Sequence, residues 1–469
     1  MKEIEDKDKE KILVEENDIE QMDTDDNANP TIKEKVIYFL KAISSILSSI
    51  INTFSHYSIL ALGYSGIYLL SFRYHYNQNI NYNDMYCFIP LIILSLSLTA
   101  PLGGIIEYKF GQKITIFISN VIIGISLLFI YFSRSLYFDY ILMCLLGFGI
   151  GIAINIAKIN SCLYFINKKA MILGITYLIP NFLSGILILW NETFILNYEH
   201  HYPTIKHTFY DENVFIKFND VISLEIKIII ITCLATILLY IKNNQKETIR
   251  LGYNEKITNE SNNNEEIEKI EKNKRKTQKI LILKKVISDK RTIRLIILVM
   301  LFFPTITLIT NLIRMDNSMF FVYGFLYNAA GCISCLIFGL IGDCVQFKKL
   351  FIILPILLLL VSYTFIKYFE KDIILLLETI LVSFAYNGFN IIFDSHLMKV
   401  YGLENYTEIL GIIRSSRAIS EILGIILNFT LDNQSEIYKV IYFVTGCFSL
   451  ISLVLGLYES DNKFNYNEN

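Results

Sequence analysis

Two stretches decide how this chain is read: PLGGIIEYKFGQK at residues 101–113 and GLIGDCVQFKK at 339–349. Each follows a long apolar run, and each passes from small residues to an acid and then to basic residues. Around the first, mostly apolar runs fall at 49–70, 85–105, 114–132, 140–165, 170–190 and 226–241. Around the second they fall at 293–313, 319–341, 350–366, 373–393, 409–430 and 437–457. Their lengths approach the roughly 20 residues a helix needs to cross hydrocarbon. The twelve spans, numbered here in chain order, split six and six, and the quoted stretches follow the second span of each half. Equivalent motifs at a six-helix period report an internal repeat.

The composition requires the same solvent. Of 469 residues, 53% are hydrophobic, 14% aromatic and only 18% charged, against about 25% charged in soluble domains. Mean hydropathy is +0.46. The charges cluster before residue 42 and between 242 and 294, leaving a largely apolar remainder. Lipid is the expected solvent, and an all-α multi-pass membrane protein the expected fold, because helices satisfy their own backbone. A net charge of −2 points to no nucleic-acid partner. The Cys residues sit singly. Cys332 and Cys335 have CxxC spacing within one apolar helix but no second pair or His nearby, so they read as packing. No metal or other cofactor is expected.

Five regions follow: an acidic tail and lead-in at 1–48, a six-helix bundle at 49–241, a linker at 242–292, a second bundle at 293–457 and a tail at 458–469. Residues 1–30 carry twelve Asp/Glu and four Lys with no apolar core, so they are a solvated tail and not a signal peptide. The first span is expected to act as an uncleaved signal anchor. The linker holds fourteen Lys/Arg against eight Asp/Glu, including KNKRK at 272–276. That excess places the linker and both termini in the cytosol. The 191–225 loop, with His200, His201 and His207, then lies on the other side; it reads as solvated, its His spacing fitting no metal site.

The paired loops resemble the signature cytoplasmic loop of the major facilitator superfamily, G-x-x-x-D-R-x-G-R-R. In the first copy Gly104, Lys109, Gly111 and Lys113 match in register, while Tyr108 takes the Asp place and the acid, Glu107, comes one residue early. In the second, Gly339, Asp343, Lys348 and Lys349 match, without the basic neighbour of the Asp or the later Gly. The fourth span, GFGIGIAIN at 147–155, runs into FINKKAMILG at 165–174. This looks like the oxalate/formate antiporter and monocarboxylate transporter branch, although the Trp-Phe-Pro of that branch is absent. The resemblance implies a monomeric transport unit working by alternating access, with spans one, four, seven and ten lining a central cavity. It also implies loops that gate the cavity, their acid steadying one access state through a neighbouring helix end.

Ionisable side chains at membrane depth are functional candidates. Span eleven carries Arg414, Arg417 and Glu421, spaced three then four, on one face. Arg417 lies about 12 Å into that span, near the midplane. The resembled antiporters bind substrate with a Lys in this helix, and Arg417 is its counterpart by depth; the plainer reading is an i,i+4 pair with Glu421 that only packs helices. Span four aligns Gly147, Gly151, Asn155, Lys158 and Cys162, where Lys158 either faces the cavity or snorkels to the surface. Span ten aligns Thr379, Ser383, Asn387, Asn390 and Asp394; span one offers Tyr64, and span eight Tyr327. The expected substrate-binding set is Arg417, Arg414, Lys158, Asn155, Tyr64, Asn387, Asn390 and Tyr327, with Glu421 and Asp394 as proton-coupling acids.

Three cations against two acids favour an anion. Span eight lacks the Arg of the resembled branch, which favours a monocarboxylate, moved with a proton, over a dicarboxylate. An amino acid or a vitamin acid such as pantothenate fits the same charges, and a drug or sugar porter the same fold. A membrane enzyme or a non-transporting receptor is the alternative class. His396 beside Asp394 is the one feature that hints at catalysis, and no phosphate-binding G-x-x-x-x-G-K-[ST] loop is present.

The topology has a direct test. Protease added outside sealed vesicles should cut only one of the two long loops, 191–225 or 242–292, according to vesicle orientation. Cleavage of both from one side would sink the twelve-span arrangement.

Overall fold

The computed structural model describes residues 32–64, 68–70, 73–74, 84, 87–196, 212–241, 284–315, 320–368, 372–402, 405–430, 434–459 and 462. Apart from short turns these are helical. Spans one to three are Ile32–Tyr64, Phe88–Phe110 and Gln112–Phe132. Span four is two helices, Leu136–Ala153 and Ile156–Tyr164. Spans five and six are Lys169–Leu196 and Glu212–Leu239. Spans seven and eight are Lys290–Met315 and Phe320–Ile341. Span nine is Phe347–Phe351 with Ile353–Tyr368, and span ten is Asp372–Val400. Span eleven divides into Tyr406–Ser415 and Arg417–Thr430, and span twelve is Gln434–Leu457. Nine helices among the described residues are long and apolar enough to cross a membrane, and the protein is an integral multi-pass membrane protein.

The sequence reading placed several boundaries too far inward. Span one starts at Ile32 and not at 49: residues 36–48 set Lys41, Ser44, Ser45 and Ser48 among apolar residues, and Ser44 and Ser48 donate to the Leu239 and Thr236 carbonyls of span six. Those bonds let a serine-rich face pack as helix where hydropathy alone reads tail. Spans five and six likewise extend into the 191–225 loop, and span seven begins within the expected linker. His200, His201, His207 and KNKRK lie outside the described residues.

Glycine sets how closely the helices approach. A Cβ on Gly147 would strike the Ile92 carbonyl, and one on Gly151 the Leu96 carbonyl and Thr99, so these two glycines of span four face span two, while Gly149 faces Ile123 and Ser119 of span three. Between the halves, Gly174 of span five lies against Gly339 of span eight, and Gly411 of span eleven against Pro101 of span two. Spans five with eight and two with eleven are thus backbone-to-backbone seams joining the bundles. One apolar core lies within the first bundle, and a larger one joins spans four and five to the second bundle.

One ion pair clamps the first bundle far from these seams. Arg73, just after span one, pairs with Asp139 in the first turn of span four; both are fully buried. Its guanidinium also donates to the Ser133 and Ile130 carbonyls at the end of span three. Arg73→Ala should therefore cost about 3–5 kcal/mol by leaving a buried charge unpaired. Thermal unfolding in detergent should show this, and a paired Arg73→Met/Asp139→Leu variant should recover most of the loss.

Candidate functional site

The two bundles meet in a chain of polar contacts at membrane depth. Lys158 donates from Nζ to the Tyr177 hydroxyl at 2.9 Å, and its ammonium sits 4.2 Å from the centre of that ring. The Tyr177 hydroxyl donates to Asp394 Oδ2 at 3.1 Å. Arg414 Nη2 donates to Asp394 Oδ1 at 2.7 Å and to Asn390 Oδ1 at 3.3 Å. Spans four and five thereby reach spans ten and eleven through one carboxylate. Lys158 is 1% exposed, so it points into the interface and does not snorkel. Just before it span four is interrupted: Ile154 and Asn155 form a turn between the two helices. The Asn155 side-chain oxygen is buried there without a hydrogen-bond partner.

Arg417 opens the second half-helix of span eleven. Its Nε bonds Glu421 Oε1 at 3.3 Å, and its Nη1 donates to the Tyr386 hydroxyl at 3.1 Å. The guanidinium carbon lies 4.4 Å from the Phe303 ring centre and 5.3 Å from that of Tyr386. Thr307 of span seven donates to the same Glu421 oxygen at 3.0 Å. The i,i+4 pair is therefore formed, but it sits in an aromatic cup and draws on spans seven and ten as well as its own helix. Cation–π contact holds a partly desolvated guanidinium without a second carboxylate.

The amides of span ten face the same interface. Asn387 Oδ1 accepts from Asn181 Nδ2 of span five at 3.1 Å, and Ser383 donates to the Tyr327 carbonyl. The Tyr327 ring lies 6.4 Å from that of Tyr386. Tyr64 closes the span-one helix, and its side chain lies outside the described residues. His396 does not join Asp394. It stacks on Phe347 at 4.2 Å and faces Glu459 at 3.5 Å. Glu459, past span twelve, is buried but also held by Arg291 and His396, and these bonds outweigh burial and keep its carboxyl below the usual range. The hint of catalysis thus resolves into a clamp of the tail onto the start of span seven. A period-based reading could not supply Phe303 or Tyr386, because nothing in their spacing distinguishes them from packing residues.

The loop-bearing face is closed. Asp343 accepts from the backbone N–H of Ala170 at 2.9 Å and of Met171 at 3.0 Å, capping the positive end of span five. Lys169 donates to the Met398 carbonyl and Lys399 to that of Gly342. The first loop differs. Glu107 accepts from Gln112, next in its own loop, while Glu408 at the start of span eleven lies over Gly104. Gly111 takes φ 82°, the left-handed turn between spans two and three. Lys109 lies over the Phe110 ring and Lys113 over that of Tyr240; Lys348 and Lys349 are exposed.

Asp343→Asn should weaken this cap by about 0.3–1 kcal/mol. A cysteine placed at Ala170 should then react faster with a membrane-impermeant thiol reagent, with unchanged ranking of competing substrates in transport. A changed ranking would put Asp343 in the binding site.

No family model and no curated protein sequence matches the chain. Solved structures do. The proton:xylose symporter XylE, bound to 6-bromo-6-deoxy-D-glucose, superposes with a TM-score of 0.64 at 11% identity, covering 90% of this chain and 95% of that one. XylE from E. coli in a partially occluded inward-open conformation gives 0.58 at 12%, covering 89% and 98%. The E. coli fucose:proton symporter FucP gives 0.58 at 11%, covering 88% and 97%. The chain therefore has the fold of the major facilitator superfamily transporters, two six-helix bundles about a central interface.

Proposed function

We propose that the protein is a secondary active transporter that carries a small organic anion, a monocarboxylate, by alternating access. The observation that carries this reading is the charge at the bundle interface. Lys158, Arg414 and Arg417 stand there against Asp394 and Glu421, a surplus of one positive charge in a low-dielectric setting. An anion entering that interface supplies the missing charge and competes with Asp394 for Lys158 and Arg414. Because Asp394 ties the bundles together, that competition is also the event that would free them to move.

Arg417 is the preferred seat for the carboxylate. Its planar fork can bind a carboxylate through two hydrogen bonds, and Glu421 neutralises it between substrate visits. XylE and FucP are proton symporters of sugars, which supports proton coupling in this fold; the charged interface here favours an anion over a neutral sugar.

Labelled monocarboxylates, amino acids, pantothenate and xylose offered to proteoliposomes would separate the substrates. Arg417→Ala should insert normally yet lose on the order of 100-fold in apparent affinity, the equivalent of about 3 kcal/mol for a charge-assisted fork. Arg417→Lys should keep part of the activity, since charge survives and the fork does not. Near-normal carboxylate transport by Arg417→Ala would make the residue structural and move the anion site to Lys158.

A further inference from the structure

Among the described residues, the fully buried acids other than Glu225 are spent on identifiable partners. Asp139 is paired with Arg73, Asp394 with Arg414, and Glu421 with Arg417. The nearly buried Glu378 accepts from Thr364. Glu225 of span six is different. It is 0% exposed, and neither carboxylate oxygen has a well-formed hydrogen bond. The group beside it is the Ser58 hydroxyl of span one. That hydroxyl lies 3.0 Å from the Ser55 carbonyl, to which it donates. A carboxylate with neither a well-formed hydrogen bond nor a paired cation is strongly unfavourable in hydrocarbon, whereas the neutral acid is tolerated there.

We propose that Glu225 is the proton-binding site that couples this transporter to a pH gradient. The proposal rests on the transporter reading above and names its coupling ion. It moves the proton away from Glu421 and Asp394, whose charges are committed to Arg417 and Arg414. Span six packs on spans one, three and five. Span six itself carries Lys217, Asp220, Lys227 and Cys233, span one carries His56, buried with neither ring nitrogen bonded, and Tyr57, span five carries Tyr177, and span three, at the far loop end, carries Lys113 over Tyr240. Among the described residues none of them hydrogen-bonds to Glu225. No cation among the described residues reaches Glu225. Loss of its proton would leave an unmatched charge against span one. Span one carries Tyr57, whose ring lies 6.4 Å from that of Tyr177, the residue that bridges Lys158 to Asp394. The proton on Glu225 thereby bears on the contact that holds the bundles together.

Two measurements on the full chain in lipid test this. Infrared difference spectra of the purified protein should show a protonated-carboxyl band that titrates with pH, is absent in Glu225→Gln and persists in Glu378→Gln. In proteoliposomes, Glu225→Gln, which mimics the protonated acid, should keep carboxylate counterflow and lose uptake driven by a pH gradient. A band removed by sodium at constant pH would make the site a sodium site and overturn the proposal. So would a band that never titrates, or unchanged pH-driven uptake in Glu225→Gln. Absence of transport by wild-type protein across the whole substrate panel would instead overturn the transporter reading, while the infrared titration still decides whether Glu225 exchanges a proton.

Discussion

Asp394 is the group on which the closed interface depends. It is fully buried and accepts from donors on opposite bundles, Tyr177 of span five and Arg414 of span eleven. In a low-dielectric interior neither the carboxylate nor the guanidinium is tolerable alone. Lys158 extends the chain through Tyr177, so three charged groups from three spans are mutually required. Separating the bundles would require all three charges to find water or an anion together.

The glycine seams add close backbone packing to this polar contact. Gly174 against Gly339 and Gly411 against Pro101 bring the backbones of the two bundles together. At the loop-bearing end Asp343 caps span five, adding an electrostatic latch to a packing contact. The two halves do not use the motif alike. The second loop reaches across the bundles with its acid. In the first, Glu107 accepts from Gln112 of its own loop, and Glu408 from span eleven approaches Gly104.

Much of this was legible in the sequence. Hydropathy gave the helical class and most of the spans, because lipid demands long apolar helices whatever their partners. The degenerate loop pair gave the six-plus-six repeat. Spacing on spans ten and eleven put Asn387, Asn390, Asp394, Arg414, Arg417 and Glu421 on shared faces. Side chains at i, i+3, i+4 and i+7 must lie together on any helix.

The tertiary structure alone decided which faces meet. It turned Lys158 inward onto Tyr177, gave Arg417 its cup of Phe303 and Tyr386, and separated His396 from Asp394 despite their closeness in sequence. It started span one at Ile32 because serine hydroxyls found carbonyls on span six, a pairing between residues almost two hundred positions apart. It also singled out Glu225, an ordinary acid at the edge of an apolar run, as the one fully buried carboxylate among the described residues with neither oxygen hydrogen-bonded. Helical periodicity fixes relations within one helix. Charge pairing, burial and hydrogen bonding between helices depend on how those helices are packed, and no spacing within a single span encodes that.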